Sequence, residues 1–205
     1  SRYIADQLYI ENYENIPTAL LTAILLTCLL SFIPVFIFTF FNDFSFISFP
    51  LLYKVSLISL FIIINILWIM LVYIALLKAY YKIFFSYLTG TIVSIFGVLY
   101  LGKLYSIAGA LCGYTIGQIV IVLLLVTIAD FSYPLKKITL NKEFIFSFKN
   151  HKLIFLMGWL FNMAIWSDKM IYWFIKGSHI PKTLYYYYIP YDIPVFLAYL
   201  TMIPG

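Results

Sequence analysis

Charge is scarce in this chain. Asp, Glu, Lys and Arg make up 10% of its 205 residues, whereas apolar and aromatic types make up 64%. An average soluble domain is about 25% charged, and a water-soluble fold of this length could not cover so much apolar surface. A soluble enzyme or binding domain is therefore excluded. Histidine is also rare: His151 and His179 are the only two, far apart, so no metal site is expected. Cys28 and Cys112 lie among Thr, Leu and Gly inside apolar runs and read as small packing residues. There is no phosphate-binding glycine loop and no dinucleotide fingerprint. No DxD pair occurs, and neither histidine opens a His-x4-Asp motif, since IPKTL follows His179 and KLIFL follows His151. No nucleophile sits beside a base. These absences argue against an enzyme, and no cofactor is implied.

What the chain does have is long apolar runs. A helix needs about 20 mostly apolar residues to cross a bilayer, and five segments satisfy this: Ile16–Phe41, Val55–Leu77, Phe84–Leu101, Ile107–Ala129 and Leu153–Phe174. A sixth apolar segment begins near Ile193 and stops at Gly205. The expected class is an all-α polytopic membrane protein. Because the chain opens on Ser1-Arg2 and stops inside an apolar segment, the expectation is the middle of a longer protein.

The net charge of +5 is no nucleic-acid signal, because the cations alternate between the gaps. Arg2 precedes the first span, Lys78 and Lys82 separate the second and third, and Lys136, Lys137, Lys142, Lys149 and Lys152 separate the fourth and fifth. The opposite gaps hold Lys54, Lys103, Lys176 and Lys182. The positive-inside rule puts the first set in the cytoplasm. Residues 1–129 are then an amphipathic cytoplasmic lead-in plus part of one membrane lobe. Residues 130–152 are a cytoplasmic linker, drawn to anionic lipid by its lysines, with NKEFIFSFKNHK forming either a surface helix or a short extended piece. Residues 153–205 begin a second lobe.

Small and polar residues within the runs suggest roles. Gly109, Gly113 and Gly117 recur once per turn, and Gly90, Ser94 and Gly97 make a matching face on the preceding helix. Such stripes let helix backbones approach closely in lipid. Asn65 needs a partner at membrane depth, either on a neighbouring helix or in a substrate, and Gln118 beside Gly117 could reach a cavity. Trp159, Trp166 and Trp173 form one drifting stripe on the fifth span, with Asn162, Lys169 and Lys176 about 60° away. Asp168 points nearly opposite the tryptophans and away from Lys169. An ionised group within a span costs about 2.5–3.5 kcal/mol on insertion scales, and Asp168 is too short to snorkel as Lys169 can. It is expected to face a water-filled cavity or a cation on another helix; an ion pair that merely locks two helices is the plainer reading. Arg2 and Asp6 share a helix face, either on a surface-lying lead-in or lining an inner gate. Tyr185–Tyr188 read as an interfacial belt or as sugar-stacking faces, and Tyr191-Asp192, between Pro190 and Pro194, opens the last apolar segment.

Four strings, SRYIADQLY at 1–9, GYTIGQ at 113–118, NMAIWSDKMIYWF at 162–174 and YDIPVFLAYLTMIPG at 191–205, resemble the PelG family. These membrane proteins of bacterial Pel exopolysaccharide export are similar to flippases of the multidrug/oligosaccharidyl-lipid/polysaccharide exporter superfamily. The resemblance implies a fold of about twelve helices in two lobes, of which this chain supplies five full spans and the start of another. It also implies a multi-pass protein of the bacterial cytoplasmic membrane that helps export an amino-sugar polymer, with a cytosolic glycosyltransferase and other membrane subunits as partners. On this view Asp168, Lys169, Trp166, Trp159, Asn162, Asn65 and Gln118 are candidates for the polymer path, and Arg2, Asp6, Tyr191 and Asp192 for a gate. The competing reading is a non-transporting scaffold that anchors the glycosyltransferase through residues 78–82 and 130–152.

Overall fold

A computed structural model describes residues 2–135, 139–179, 183 and 185–202, with side chains at all of these except 148–150 and 199–202. Lys136, Lys137 and Lys182 lie outside the described residues. The element order is α1 (Arg2–Tyr9), α2 (Asn15–Phe41), α3 (Pro50–Leu76), α4 (Tyr80–Ser132), α5 (Lys142–Asn150), α6 (Lys152–Lys176), β1 (Ser178–His179), β2 (Tyr186–Tyr187) and α7 (Ile189–Met202). Two compact units result: Ser1–Phe40 with Phe44–Ser147, and Phe41–Asp43 with Phe148–Gly205.

By length and composition, three helices among the described residues can cross a membrane: Asn15–Phe41, Pro50–Leu76 and Tyr80–Ser132. Their outer surfaces are apolar, as lipid requires; Phe40, Leu51 and Phe96 stand well exposed. Hydroxyls within them bond back to their own helix, Thr22 to the Thr18 carbonyl at 2.7 Å, Ser86 to Lys82 at 2.8 Å and Thr127 to Leu123 at 2.8 Å. Each of these three hydroxyls thereby finds an acceptor in hydrocarbon, whereas the buried Tyr73 hydroxyl of α3 has no hydrogen-bond partner among the described residues. The segment expected as the fifth span falls on α6, which is more polar than these three and buries no residue in the described structure.

Helix boundaries in the first unit follow local chemistry. Proline opens α3 at Pro50, where its missing N–H costs nothing. Two helices end in Schellman motifs. After α1 the Asn12 N–H reaches the Gln7 carbonyl at 3.0 Å; after α3 the Lys78 N–H reaches Ala75 at 3.0 Å and the Ala79 N–H reaches Ile74 at 3.4 Å. Their left-handed residues are Glu11 (φ 57°) and Lys78 (φ 56°), not glycines. The core joins α1, α2, α3 and α4 through Ile4, Ile16, Leu20, Leu67, Met70, Tyr73, Ile74, Ile121, Leu125 and Ala129. Ile4 thus docks the lead-in helix on this core.

The segments expected as the third and fourth spans form one feature. Helix α4 is 53 residues long, about 80 Å if straight. It is not straight. Tyr105 (φ −124°, ψ 17°) and Ser106 (φ 53°, ψ −136°) leave helical geometry, and the arms 80–104 and 107–132 fold back on each other. Glycine makes that return path possible. A Cβ on Gly97 would lie 2.9 Å from Gly113 Cα, one on Gly117 would lie 2.6 Å from the Gly90 carbonyl oxygen, and one on Gly109 would meet the Leu101 backbone. The Ser94 hydroxyl crosses to the Tyr114 carbonyl at 3.3 Å. The expected packing faces therefore meet each other, as an antiparallel hairpin with a two-residue turn.

In the second unit β1 and β2 pair antiparallel, Ser178 opposite Tyr187 and His179 opposite Tyr186. Tyr186 and Tyr187 of the tyrosine-rich segment are therefore one strand of a two-stranded antiparallel ladder. It sets α7 beside the C-terminal half of α6.

Two substitutions test the α4 hairpin by thermal unfolding in detergent. Gly113→Leu forces the arms apart and should abolish the cooperative transition. Ser106→Gly removes the left-handed strain of a non-glycine residue and should stabilise the chain by about 1 kcal/mol.

Candidate functional site

In the second unit, the N-terminal turn of α7 is fastened to α6 by aromatic rings and carboxylates. Asp168 and Tyr172 lie one turn apart on α6, on the same face. The Tyr191 ring stacks on Tyr172 with centroids 4.4 Å apart and planes at 22°, while its hydroxyl donates to the Asp168 carboxylate. Tyr188 stacks on Tyr172 at 6.1 Å, nearly parallel. One residue further along α6, the Trp173 indole N–H donates to Asp192 Oδ1 at 2.9 Å. The other oxygen of Asp192 accepts the Tyr188 backbone N–H at 2.8 Å. A carboxylate in the first turn that accepts the N–H of the residue before the helix satisfies a donor at the helix start, and it complements the helix dipole.

Asp168 thus finds a phenol on the next helix, where a cavity or a cation had been expected. Its second contact is the Lys169 backbone N–H at 2.7 Å. The ammonium of Lys169 lies 4.7 Å from the Trp166 ring centroid, a cation–π contact across three residues of helix. Trp159 is exposed, and the Asn162 amide donates to its own helix at the Gly158 carbonyl, 2.9 Å away. Neither is drawn into the Asp168 cluster.

The other expected site residues lie in the first unit. Asn65 donates to the Phe61 carbonyl at 2.7 Å. Its partner is the preceding turn of α3, not another helix, because an i−4 carbonyl is always within reach of a helical amide. Gln118 is half-buried on the second arm of α4. Arg2 and Asp6 face each other along α1 at 3.9 Å, both more than half exposed.

A second polar constellation in this unit escaped the sequence reading. Asn141 is buried and caps α5, its Oδ1 accepting the Phe144 N–H at 2.9 Å. Its backbone N–H donates to Thr22 Oγ1 at 2.8 Å, and its Nδ2 donates to Thr18 Oγ1 at 3.2 Å and the Asn15 carbonyl at 3.3 Å. From α1 the Tyr3 hydroxyl reaches Glu143 Oε2 at 3.2 Å and Asn141 Oδ1 at 3.4 Å, and the Tyr3 ring meets Phe144 edge-on at 5.6 Å. Burial raises the Tyr3 pKa above its ordinary 10.0; the Asn141 bond opposes this and Glu143 adds to it. One asparagine therefore ties the start of α5 to the ends of α1 and α2. The stretch NKEF, a capping residue before an amphipathic segment, is the signal that would have found the helix start. Nothing local in the sequence points to Thr18 or Thr22.

The family model PelG, described as "Putative exopolysaccharide Exporter (EPS-E)", matches residues 1–205. The chain belongs to the PelG family. No curated protein and no solved structure matches it. The family assignment and the three apolar helices together mark a PelG-family membrane protein of exopolysaccharide export.

The Asn141 clamp has a measurable strength. Asn141→Ala should cost about 2–3 kcal/mol, the loss of a cap plus buried donors and acceptors left unmet, whereas Asn141→Asp keeps the cap and should cost less. Both are read by thermal unfolding in detergent. Because the folded state favours neutral Tyr3, its contribution is complete below pH 10 and falls as pH rises through the higher folded value. Tyr3→Phe should therefore flatten the alkaline limb of the stability profile.

Proposed function

We propose that this PelG-family chain helps carry an exopolysaccharide across the bacterial cytoplasmic membrane, and that the joint between α6 and α7 lies on the polymer's path. Membership of an exopolysaccharide-exporter family, matched over residues 1–205, supports the first part. The single observation that carries the second is the Asp168–Tyr191 bond beside the Tyr172 stack. Carboxylates and phenols offer hydroxyl-rich polymers many exchangeable hydrogen bonds, and exposed aromatic faces let sugar rings slide without a fixed register. In this reading each arm of α4 crosses the bilayer once, α6 crosses again, and the lead-in helix and α5 lie in the cytoplasm. Asp168, Lys169, Trp166, Tyr191 and Asp192 face the polymer, while Gly90, Gly109, Gly113 and Gly117 hold the wall together.

A scaffold that anchors a cytosolic glycosyltransferase is the competing reading, favoured by the well-built polar end of the first unit around Asn141. The two separate when export and complex assembly are scored independently in cells. Asp168→Asn and Tyr191→Phe should each reduce polymer export by roughly tenfold, the worth of one charge-assisted hydrogen bond, with assembly unchanged. Loss of assembly with export per assembled complex unaltered would support the scaffold instead.

A further inference from the structure

The first unit holds a cleft that the α6–α7 joint does not explain. It has a volume of about 570 Å³ and opens where the turn after α1, the first turn of α2 and the segment leading into α5 converge. Its aromatic wall is the pair Tyr13 and Tyr133, rings stacked with centroids 5.6 Å apart and planes at 16°. Tyr13 is 46% exposed, so an open ring face remains available. Around the pair stand the carboxylates of Glu14 and Glu143 and the ammonium of Lys142. Glu143 accepts the Tyr3 hydroxyl, whereas Glu14 and Lys142 make no side-chain hydrogen bond or ion pair among the described residues. Both signs of charge therefore stand in one small space without neutralising each other. The cleft also sits at a telling depth. Helix α2 has 27 residues and is about 40 Å long, against a hydrocarbon layer of about 30 Å, so its first turn stands among lipid headgroups. Thr18 lines the cleft, and at 100° per residue Leu25, Leu29, Phe32 and Phe36 fall within about 40° of it along α2. All four are exposed. An apolar track thus runs from the cleft into the depth of the acyl chains.

We infer that this cleft holds the headgroup of a phospholipid bearing a primary ammonium, its acyl chains laid along that track. The ammonium lies over the open face of Tyr13, a cation–π contact, and donates to Glu14 and Glu143, while the phosphate faces Lys142. Phosphatidylglycerol would satisfy Lys142 but bring no cation to the two acids. Phosphatidylcholine would stack on Tyr13 but has no N–H to donate to them. The rim is fixed in advance, because Asn141 ties its α5 side to Asn15, Thr18 and Thr22 of α2, and a preformed rim avoids the ordering cost of binding. The site needs only that α2 crosses the membrane, not that α6 and α7 border the polymer.

Native mass spectrometry of the full chain in detergent, titrated with phospholipids of identical acyl chains, tests this. Phosphatidylethanolamine should occupy one site about tenfold more tightly than phosphatidylcholine or phosphatidylglycerol, with its N-methyl and N,N-dimethyl forms falling between in order as N–H donors are removed. Tyr13→Ser and Glu14→Gln should each weaken phosphatidylethanolamine roughly fivefold. Lys103→Gln, an exposed cation beside the α4 break, should leave it unchanged, and circular dichroism should show unaltered helicity in all three variants. The methylation series uses the unaltered chain, so it decides even where a substitution disturbs folding. Equal affinity for all the lipids, or a preference that survives both Tyr13→Ser and Glu14→Gln in folded chains, would overturn the site. Tighter binding of phosphatidylglycerol would overturn the ammonium assignment. Free phosphoethanolamine competing at the same concentration as the lipid would overturn the lipid as its source.

Discussion

Backbone-to-backbone contact between the two arms of α4 sets what the first unit can be. In lipid there is no hydrophobic force to press helices together, so dispersion between closely approached backbones has to supply the attraction. Gly97 against Gly113 and Gly90 against Gly117 make that approach at successive turns. The stripe repeats every four residues, so contact runs along the arms rather than occurring at one crossing. Only with the arms this close can a two-residue break at Tyr105 and Ser106 turn the chain. Once the arms are paired, Ile121, Leu125 and Ala129 present a face to Leu67, Met70 and Ile74, and the core with α2 and α1 follows.

Polar groups in this structure obey the same economy of partners. Thr89, Thr127, Asn65 and Asn162 spend their donors on carbonyls one turn back in their own helices, which makes them acceptable in hydrocarbon without coupling one helix to another, whereas Ser94 donates across the α4 hairpin and Thr115 also reaches the Ser56 carbonyl of α3. Bonds between elements are concentrated at two places. One is Asn141, where α5 meets α1 and α2; the other is the start of α7, where Asp168 and Asp192 of neighbouring helices each take an aromatic donor. Rigid apolar rods joined at a few polar joints suit a protein whose segments shift against one another, since breaking one joint leaves the rods intact.

Composition made the membrane class legible, and the glycine stripes made the packing faces legible, because both signals are local and periodic. The antiparallel return of α4 was foreshadowed by the matching stripe at Gly90, Ser94 and Gly97. Turn chemistry was hidden, because the left-handed positions are Glu11, Lys78 and Ser106, residue types that do not announce a turn. Glycine, the usual marker, is used here for closeness instead. Asn65 was misread because depth in a span implies a partner but does not say on which helix. Asn141 was passed over since its partners Thr18 and Thr22 lie more than a hundred residues earlier, and long-range pairing leaves no trace in a single sequence. Asp168 was read as a residue in need of a partner, and the bond it makes is to Tyr191, which had been assigned to a gate of its own.

We propose that α4 is a pair of antiparallel spans, turning outside the cell at Ser106 and returning to a connector that stays inside. Single cysteines at Ser106 and at Thr139, in a chain whose Cys28 and Cys112 are replaced by alanine, test it with a membrane-impermeant maleimide on intact spheroplasts. The account predicts that position 106 labels directly and position 139 only after permeabilisation. Labelling of 139 from outside, or of both positions from the same side, would contradict it.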